Sequence, residues 1–335
     1  MEALGAFGGI RVGQVGLGAW GQNLVRNLDE LADLAWIADA SAERLELFGR
    51  RFPGATTTSD FAEMLADASL DAVVIATPVP THYALARQAL EAGKHVFVEK
   101  PPAMQEAEMA ELVRLSEAQH KVLMPGHLLL YHPAVRKLRE LIDAGDLGDV
   151  LCVYGNRQNL GTIRTNENAL WSLGVHDLSV ILHLIGEEPD EVWARGNAFL
   201  TPGVEDVVFC YLRFPSGKIA HLHLSWLDPH KMRKLTVVGR DKMAVFDDME
   251  LERKVTIYDK APEQPAQSYG EWRTRTGDIF SPKVPNDEPL RLEMEHFLRL
   301  VRDGGDGREA RDPDRRFCGD DPVSCRDRHA ANNSS

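Results

Sequence analysis

The segment His95-Val96-Phe97-Val98-Glu99-Lys100-Pro101-Pro102 reads as a buried β-strand that ends abruptly in a carboxylate, an amine and two prolines. Proline stops the strand and fixes the direction in which the chain leaves. Charged groups at the carboxyl end of a strand in an open α/β sheet lie where such sheets bind ligands. A lysine held there can donate to a substrate oxygen and take part in proton transfer. A solvated Glu-Lys pair at a strand end is the plainer reading of the same residues. The case for chemistry therefore depends on what accompanies them.

Gly16-Leu17-Gly18-Ala19-Trp20-Gly21 fits the pattern G-x-G-x-x-G. Here the pattern follows an apolar strand and opens a helix, and Asp39 ends the next strand 18 residues beyond Gly21. That context makes it a dinucleotide fingerprint. Gly16 allows the tight turn, Gly18 lets the backbone approach a pyrophosphate, and Gly21 permits close helix packing. The helix N-terminus, with Ala19 and Trp20 before it, supplies N–H donors to the anion. Asp39 would accept from ribose hydroxyls and repel a 2′-phosphate, so NAD rather than NADP is the expected cofactor. Ala76-Thr77-Pro78 ends another strand at the same sheet edge, where Thr77 and Pro78 would flank the cofactor. His82, in the helix just after, joins this set of candidates with Glu99 and Lys100, although it could be no more than a helix-start residue.

Further along, Leu170-Trp171-Ser172-Leu173-Gly174-Val175-His176-Asp177 precedes or opens a helix. A histidine near a helix start is partly exposed and keeps a usable pKa, because the positive helix end disfavours the imidazolium. Composition alone gives a packed histidine equal standing. His183 lies seven residues on, a spacing that does not suit joint metal ligation with His176, and no metal is expected. Asn156-Arg157-Gln158-Asn159 ends a strand, and Arg164 follows in the next loop. Arg157, Asn159 and Arg164 could form a donor patch for phosphate or carboxylate. Lys231, Arg233 and Lys234 form a second basic cluster, read as a solvated loop.

These residues need a frame. Residues 10–127 alternate β-branched strands (10–15, 34–39, 71–77, 95–99, 121–124) with amphipathic helices (21–31, 42–52, 60–66, 81–92, 105–119). That alternation implies an α/β doubly wound parallel sheet. From about residue 128 the pattern changes to helices over 133–144 and 175–184, then strands at 191–199, 206–214, 218–227, 234–238, 243–247 and 254–258. Pro215-Ser216-Gly217 and Gly239-Arg240-Asp241 are hairpin signals, so this second domain, 128–302, is an α+β unit on a mainly antiparallel sheet. Residues 261–290 read as a loop and 288–301 as a last amphipathic helix. The tail 303–335 is dense in Asp and Arg and reads as disordered.

Composition sets the outer bounds. A chain of 335 residues with 44% hydrophobic and 7% aromatic residues is long for one core. No apolar run approaches the ~20 residues of a membrane span, and the N-terminus lacks a secretory pattern. The four cysteines show no zinc spacing, and reduced thiols in a cytoplasmic protein account for them. A formal charge of −13 disfavours nucleic acid or an anionic membrane as the main partner.

Taken in order, G-L-G-A-W-G, the A-T-P strand end, E-K-P and a second-domain histidine resemble the Gfo/Idh/MocA oxidoreductases over about residues 8–302. The resemblance implies an N-terminal Rossmann domain, and a C-terminal domain whose open sheet carries the substrate site and often the contacts of a homodimer or homotetramer. It also implies that Lys100 and His176 work beside the nicotinamide. The run 156–160 with Ala169-Leu170-Trp171-Ser172, His176-Asp177 and Ser225-Trp226-Leu227 resembles the branch that oxidises the 3-hydroxyl of UDP-N-acetylglucosamine or its uronic acid. In that reading Arg157, Asn159, Arg164 and Trp171 meet the sugar nucleotide. Many polyol-oxidising relatives carry an aspartate four residues before the histidine, where this chain has Ser172. A reductase of keto-deoxysugars would share the fold and both residues but favour NADPH, against Asp39. A non-catalytic NAD/sugar sensor would have no need to keep both Lys100 and His176.

Overall fold

The computed structural model describes residues 6–161, 163–165, 167–263 and 272–304. The chain divides into two compact units. One runs to Gly126 and resumes at Met294, and the other spans His127–Glu293.

The first unit contains β1 (Phe7–Val15), α1 (Gly21–Leu31), β2 (Ala32–Ala38), α2 (Ala42–Arg51), β3 (Thr56–Thr58), α3 (Phe61–Leu65), β4 (Ala72–Ile75), α4 (His82–Glu91), β5 (His95–Glu99), α5 (Glu106–Gln119) and β6 (Leu123–Gly126). The strands form one sheet in the order β3-β2-β1-β4-β5-β6, parallel throughout. Strand order reverses between β1 and β4, which makes the carboxyl ends of these two strands the switch point of the sheet. The central strands are apolar on both faces: Val73, Val74, Ile75, Val96, Phe97 and Val98 are fully buried. A parallel sheet covered by helices on both sides requires this. Helix starts follow local chemistry, since Ser41 accepts from the Arg44 N–H and Asp60 from the Ala62 N–H. The three-residue edge strand β3 was not foreseen; Thr56-Thr57-Thr58 is too short to show a hydrophobic period.

The second unit contains α6 (Pro133–Asp143), β7 (Val150–Gln158), α7 (Val175–Ile185), β8 (Glu191–Asn197), β9 (Val207–Arg213), β10 (Ile219–Ser225), β11 (Met232–Gly239), β12 (Met243–Asp247), β13 (Val255–Glu263) and β14 (Arg273–Phe280). Its strands run in the order β14-β13-β12-β11-β7-β10-β9-β8, antiparallel except for β7 beside β10. Alternate residues Val208, Cys210 and Leu212 of β9 and Ala220, Leu222 and Leu224 of β10 are buried. Their neighbours face the other way, where Tyr154 stacks on His221 and Phe209 on His223. Both expected hairpin turns are present: the Gly217 N–H reaches the Phe214 carbonyl, and the Gly239 N–H the Lys242 carbonyl.

Apart from β3, the structure departs from the sequence reading at three further places. The stretch read as a loop over 261–290 contains β14, a strand nearly exposed along its length, so no buried face marks it in sequence. The helix expected from residue 175 is preceded without a break by a π turn at Leu170–Gly174. The last helix, α8 (Pro289–Arg302), returns to the first unit from Met294 rather than closing the second. Its apolar stripe explains why: Met294, Phe297 and Leu298 are fully buried, and the Phe297 ring meets Phe97 of β5 edge to face at 5.7 Å. Beyond Gly304 the expected disordered tail lies outside the described residues.

Phe297→Ala removes a fully buried ring from the sheet that carries Lys100. The expected cost is about 3–4 kcal/mol of stability, read as a lowered denaturation midpoint with an unchanged slope.

Candidate functional site

Four strands of the first sheet deliver their carboxyl ends to one edge: β1 leads to Gly16, β2 to Asp39, β4 to Ala76-Thr77-Pro78, and β5 to Glu99-Lys100. The glycine turn is held by crowding. Gly16 has φ +96°, and a Cβ there would lie 2.4 Å from the Ala76 carbonyl oxygen. A Cβ on Gly21 would lie 2.1 Å from the Gly16 carbonyl oxygen, whereas one on Gly18 would meet nothing within 4 Å. The turn is thus closed on its protein side and open where a diphosphate would approach. Trp20, at the start of α1, supplies no side-chain cap to the helix N–H groups, which suits an anion in that role.

Asp39 is nearly buried, and both carboxylate oxygens are engaged. Oδ2 accepts from the Leu17 N–H at 2.7 Å, and Oδ1 from the Ser41 N–H at 2.8 Å. Each oxygen keeps a second lone pair for a ribose hydroxyl. Asp39, Ser41, Arg44 and Leu47 are among the residues lining an adjacent cavity of about 500 Å³, large enough for a nucleoside. These residues fit a bound NAD: the turn would take the diphosphate and Asp39 the adenosine ribose.

Two links tie the remaining strand ends together. His82 is 1% exposed. Its Nδ1 lies 2.8 Å from the Pro101 carbonyl and its Nε2 2.7 Å from the Thr77 carbonyl. The ring therefore joins the turn after β4 to the turn after β5, and both nitrogens are spent on backbone. This differs from the direct cofactor contact that its place in sequence suggested. The Trp20 indole N–H donates to Glu99 Oε1, and the Lys100 backbone N–H donates to Glu99 Oε2. Burial pushes the Glu99 carboxyl up to about 7, against the pull of the Trp20 hydrogen bond and of Lys100.

Gln14 belongs to this half of the site although motif reading passed over it. It is fully buried, and its Nε2 donates to the carbonyls of Gly16 at 3.0 Å and Gly21 at 2.7 Å. A lone amide in an otherwise apolar strand was the available signal.

In the second unit the strand period splits the expected donor patch. Arg157 turns toward the helix-covered face, and its Nε and Nη2 form a two-pronged ion pair with Asp177 at 2.5 and 3.0 Å. Both residues are buried. Burial alone would lower the Arg157 guanidinium, but Asp177 more than offsets it and raises it above the usual arginine range. Asn156 and Gln158 alternate with Arg157 on the strand, and Gln158 Nε2 contacts His223 Nδ1. The Asn159 N–H donates to the Ser225 carbonyl, and half-exposed Arg164 pairs with Glu167 at 2.9 Å. Trp171 lies in the π turn, its N–H capped by Asn168 Oδ1. His176 is half-buried in the first turn of α7. Because the π turn continues into that helix, His176 lies inside a longer helical run rather than at a free positive end. The second basic cluster is engaged in ion pairs, Arg233 with Asp248 and Lys234 with Asp247. No group of His, Cys, Asp or Glu among the described residues is arranged to hold a metal.

Residues 10–127 match the oxidoreductase family described as NAD-binding Rossmann fold (GFO_IDH_MocA), and residues 135–245 match the GFO/IDH/MocA C-terminal domain. UDP-N-acetylglucosamine 3-dehydrogenase of Acidithiobacillus ferrooxidans is 30% identical over 71% of this chain and 74% of its own. Its solved structure superposes with a TM-score of 0.74 at 27% identity, covering 88% of this chain and 89% of that one. The scyllo-inositol 2-dehydrogenase (NAD(+)) of Bacillus subtilis is 26% identical over 88% of this chain and 87% of its own.

Two outcomes are expected from this geometry. Gln14→Leu frees two carbonyls of the glycine turn and should weaken NAD binding about 10-fold by calorimetric titration, with the fold retained. The raised Glu99 carboxyl stabilises the fold while it is neutral, and that contribution fades as pH rises through about 7. Thermal midpoints of the parent and of Glu99→Gln should therefore diverge, in favour of the variant, between about pH 5 and 8. A constant gap across that range would contradict the raised carboxyl.

Proposed function

Because the chain belongs to the Gfo/Idh/MocA family of NAD-dependent oxidoreductases, with both domains of that family in order, we propose that it oxidises the 3-hydroxyl of a UDP-N-acetylhexosamine or its uronic acid. The observation that carries the redox reading is the convergence of the glycine turn, Asp39, the Thr77 turn and Glu99-Lys100 on one sheet edge. The sugar-nucleotide reading rests on the second unit. There the residues 156–160, Ala169-Leu170-Trp171-Ser172 and His176-Asp177 resemble that branch, and the UDP-N-acetylglucosamine 3-dehydrogenase named above is 30% identical.

In this reading the Lys100 ammonium hydrogen-bonds the hydroxyl oxygen and holds it as negative charge develops. His176 accepts the hydroxyl proton, directly or with Lys100 sharing the task. The carbon–hydrogen bond breaks with its electron pair, which NAD, when bound, takes up as hydride, and a ketone is left. Thr77 and Pro78 flank the cofactor. Asn159, Arg164 and Trp171 contact the sugar nucleotide, with Arg164 exchanging Glu167 for a phosphate or sugar carboxylate. Ser172 in place of a carboxylate supports a sugar nucleotide over a free polyol. Val192, Trp193 and Phe209 are exposed on the second unit, and we read them as contacts with further copies of a cytoplasmic homodimer or homotetramer.

The test is NADH absorbance on mixing the purified protein with NAD and UDP-N-acetylglucosamine, its uronic acid, or an inositol. NADH should form with a UDP-sugar. Formation with inositol alone would replace this reading by a polyol dehydrogenase. Lys100→Ala and His176→Ala should each lower kcat by about 10²-fold while NAD affinity holds. Parental turnover in either variant would remove that residue from the mechanism.

A further inference from the structure

We propose that Arg157 is a positioning residue that sets the orientation of His176, and that it does not bind the substrate's phosphates. The inference rests on the reading of His176 as proton acceptor. It begins from two anchors that bracket that residue. On its N-terminal side, Gly174 ends the π turn so close to β10 that a Cβ there would lie 2.6 Å from Leu224 Cδ1. On its C-terminal side, Asp177 is clasped by Arg157 through two parallel hydrogen bonds.

Leu224 and Arg157 are register partners on the neighbouring strands β10 and β7. The two anchors thus grip adjacent points of one sheet. Between them lie only Val175 and His176. A helix carrying a π turn has one residue more in that turn than an α-helix, which rotates everything after it. The clasp on Asp177 fixes where that rotation ends, and therefore which way the next residue back, His176, presents its ring.

The chemistry of Arg157 agrees with this role. It is 7% exposed and Asp177 6% exposed. A guanidinium that must receive a diphosphate has to keep its flat donor edge open. Here Nε and Nη2 are given to a carboxylate in a fork-to-fork arrangement that fixes direction as well as charge. Arg164, half-exposed in its loop, is the arginine free to exchange its partner.

Removing one member of a buried ion pair strands the other charge, whereas removing both can leave the fold intact. The test therefore uses Arg157→Met, Asp177→Leu and the double variant, with UDP-N-acetylglucosamine and NAD as probes. Both single variants should lose thermal midpoint, and the double variant should recover most of it. The double variant's kcat should nevertheless stay at least about 30-fold below the parent, with KM for the sugar nucleotide within about 3-fold. Arg157→Lys, which keeps the charge and loses the fork, should fall between.

Recovery of kcat together with stability would make the pair merely structural. A KM increase of about 10-fold or more with kcat retained would return Arg157 to the substrate. A readout independent of turnover is the rate at which His176 is carbethoxylated by diethyl pyrocarbonate, followed by mass spectrometry. It should change several-fold in the refolded double variant, and the parental rate would overturn the proposal. His176→Ala run in parallel separates the two ideas. Parental turnover there sinks the proton-acceptor role, whereas parental behaviour of the pair variants with an inactive His176→Ala sinks only the positioning role.

Discussion

At the carboxyl edge of the first sheet, backbone is packed directly against backbone. The chain leaving β1 turns at Gly16 against the carbonyl of Ala76, and Gly21 in turn lies against the carbonyl of Gly16. No side chain fits at either contact. Much of the site hangs from this crowding. It brings the Leu17 N–H to Asp39, places two carbonyls under the Gln14 amide, and sets the start of α1 beside the Thr77 turn. His82 extends the chain of contacts from Thr77 to Pro101 and so to the turn that carries Lys100. Each strand end is thereby fixed relative to its neighbour, by backbone packing at Gly16 and Gly21 and by the buried side chains of Asp39, Gln14 and His82, which is what a preorganised redox site needs.

The second unit solves a similar problem with side chains. Its sheet is covered by helices on one face, and α7 is located on it by one close approach and one ion pair. A buried pair of this kind is weak evidence for stability, because desolvation cancels much of the attraction. Its two-pronged geometry specifies orientation instead, and the residue beside it is His176, the proton acceptor of the proposed mechanism.

The parallel sheet was legible because its signals are local. Apolar strands, capped helices and G-x-G-x-x-G all lie within short windows, and α1 and β5 have the boundaries that the sequence implies. The second unit was legible mainly through hydrophobic alternation, although β8 was read as a strand with all of its residues exposed. Strand β14 has almost no buried face, and β3 has only three residues, so neither left a period to read. The π turn left no signal either, since one extra residue in a helical turn changes no residue type. Side-chain commitments were hidden for another reason. That Arg157 is occupied by Asp177, or that the second carbonyl on His82 is that of Pro101, depends on partners 20 and 19 residues away. Spacing marks which residue types are available for chemistry, and the fold decides which of them are already engaged.

The engagement of Asp39 bears on how the enzyme's redox currency could be altered. Its carboxylate is held by the Leu17 N–H of the glycine turn and by the Ser41 N–H, with the Arg44 guanidinium 3.6 Å away. The carboxylate at the end of β2 is therefore also a strut of the glycine turn. Replacing it with a neutral residue would release Arg44 toward a 2′-phosphate and, in the same stroke, leave the Leu17 N–H without its acceptor. A redesign for the phosphorylated cofactor has to supply a new acceptor to that N–H as well. On the role proposed for Asp39, cofactor choice and the architecture of the glycine turn would be a single trait.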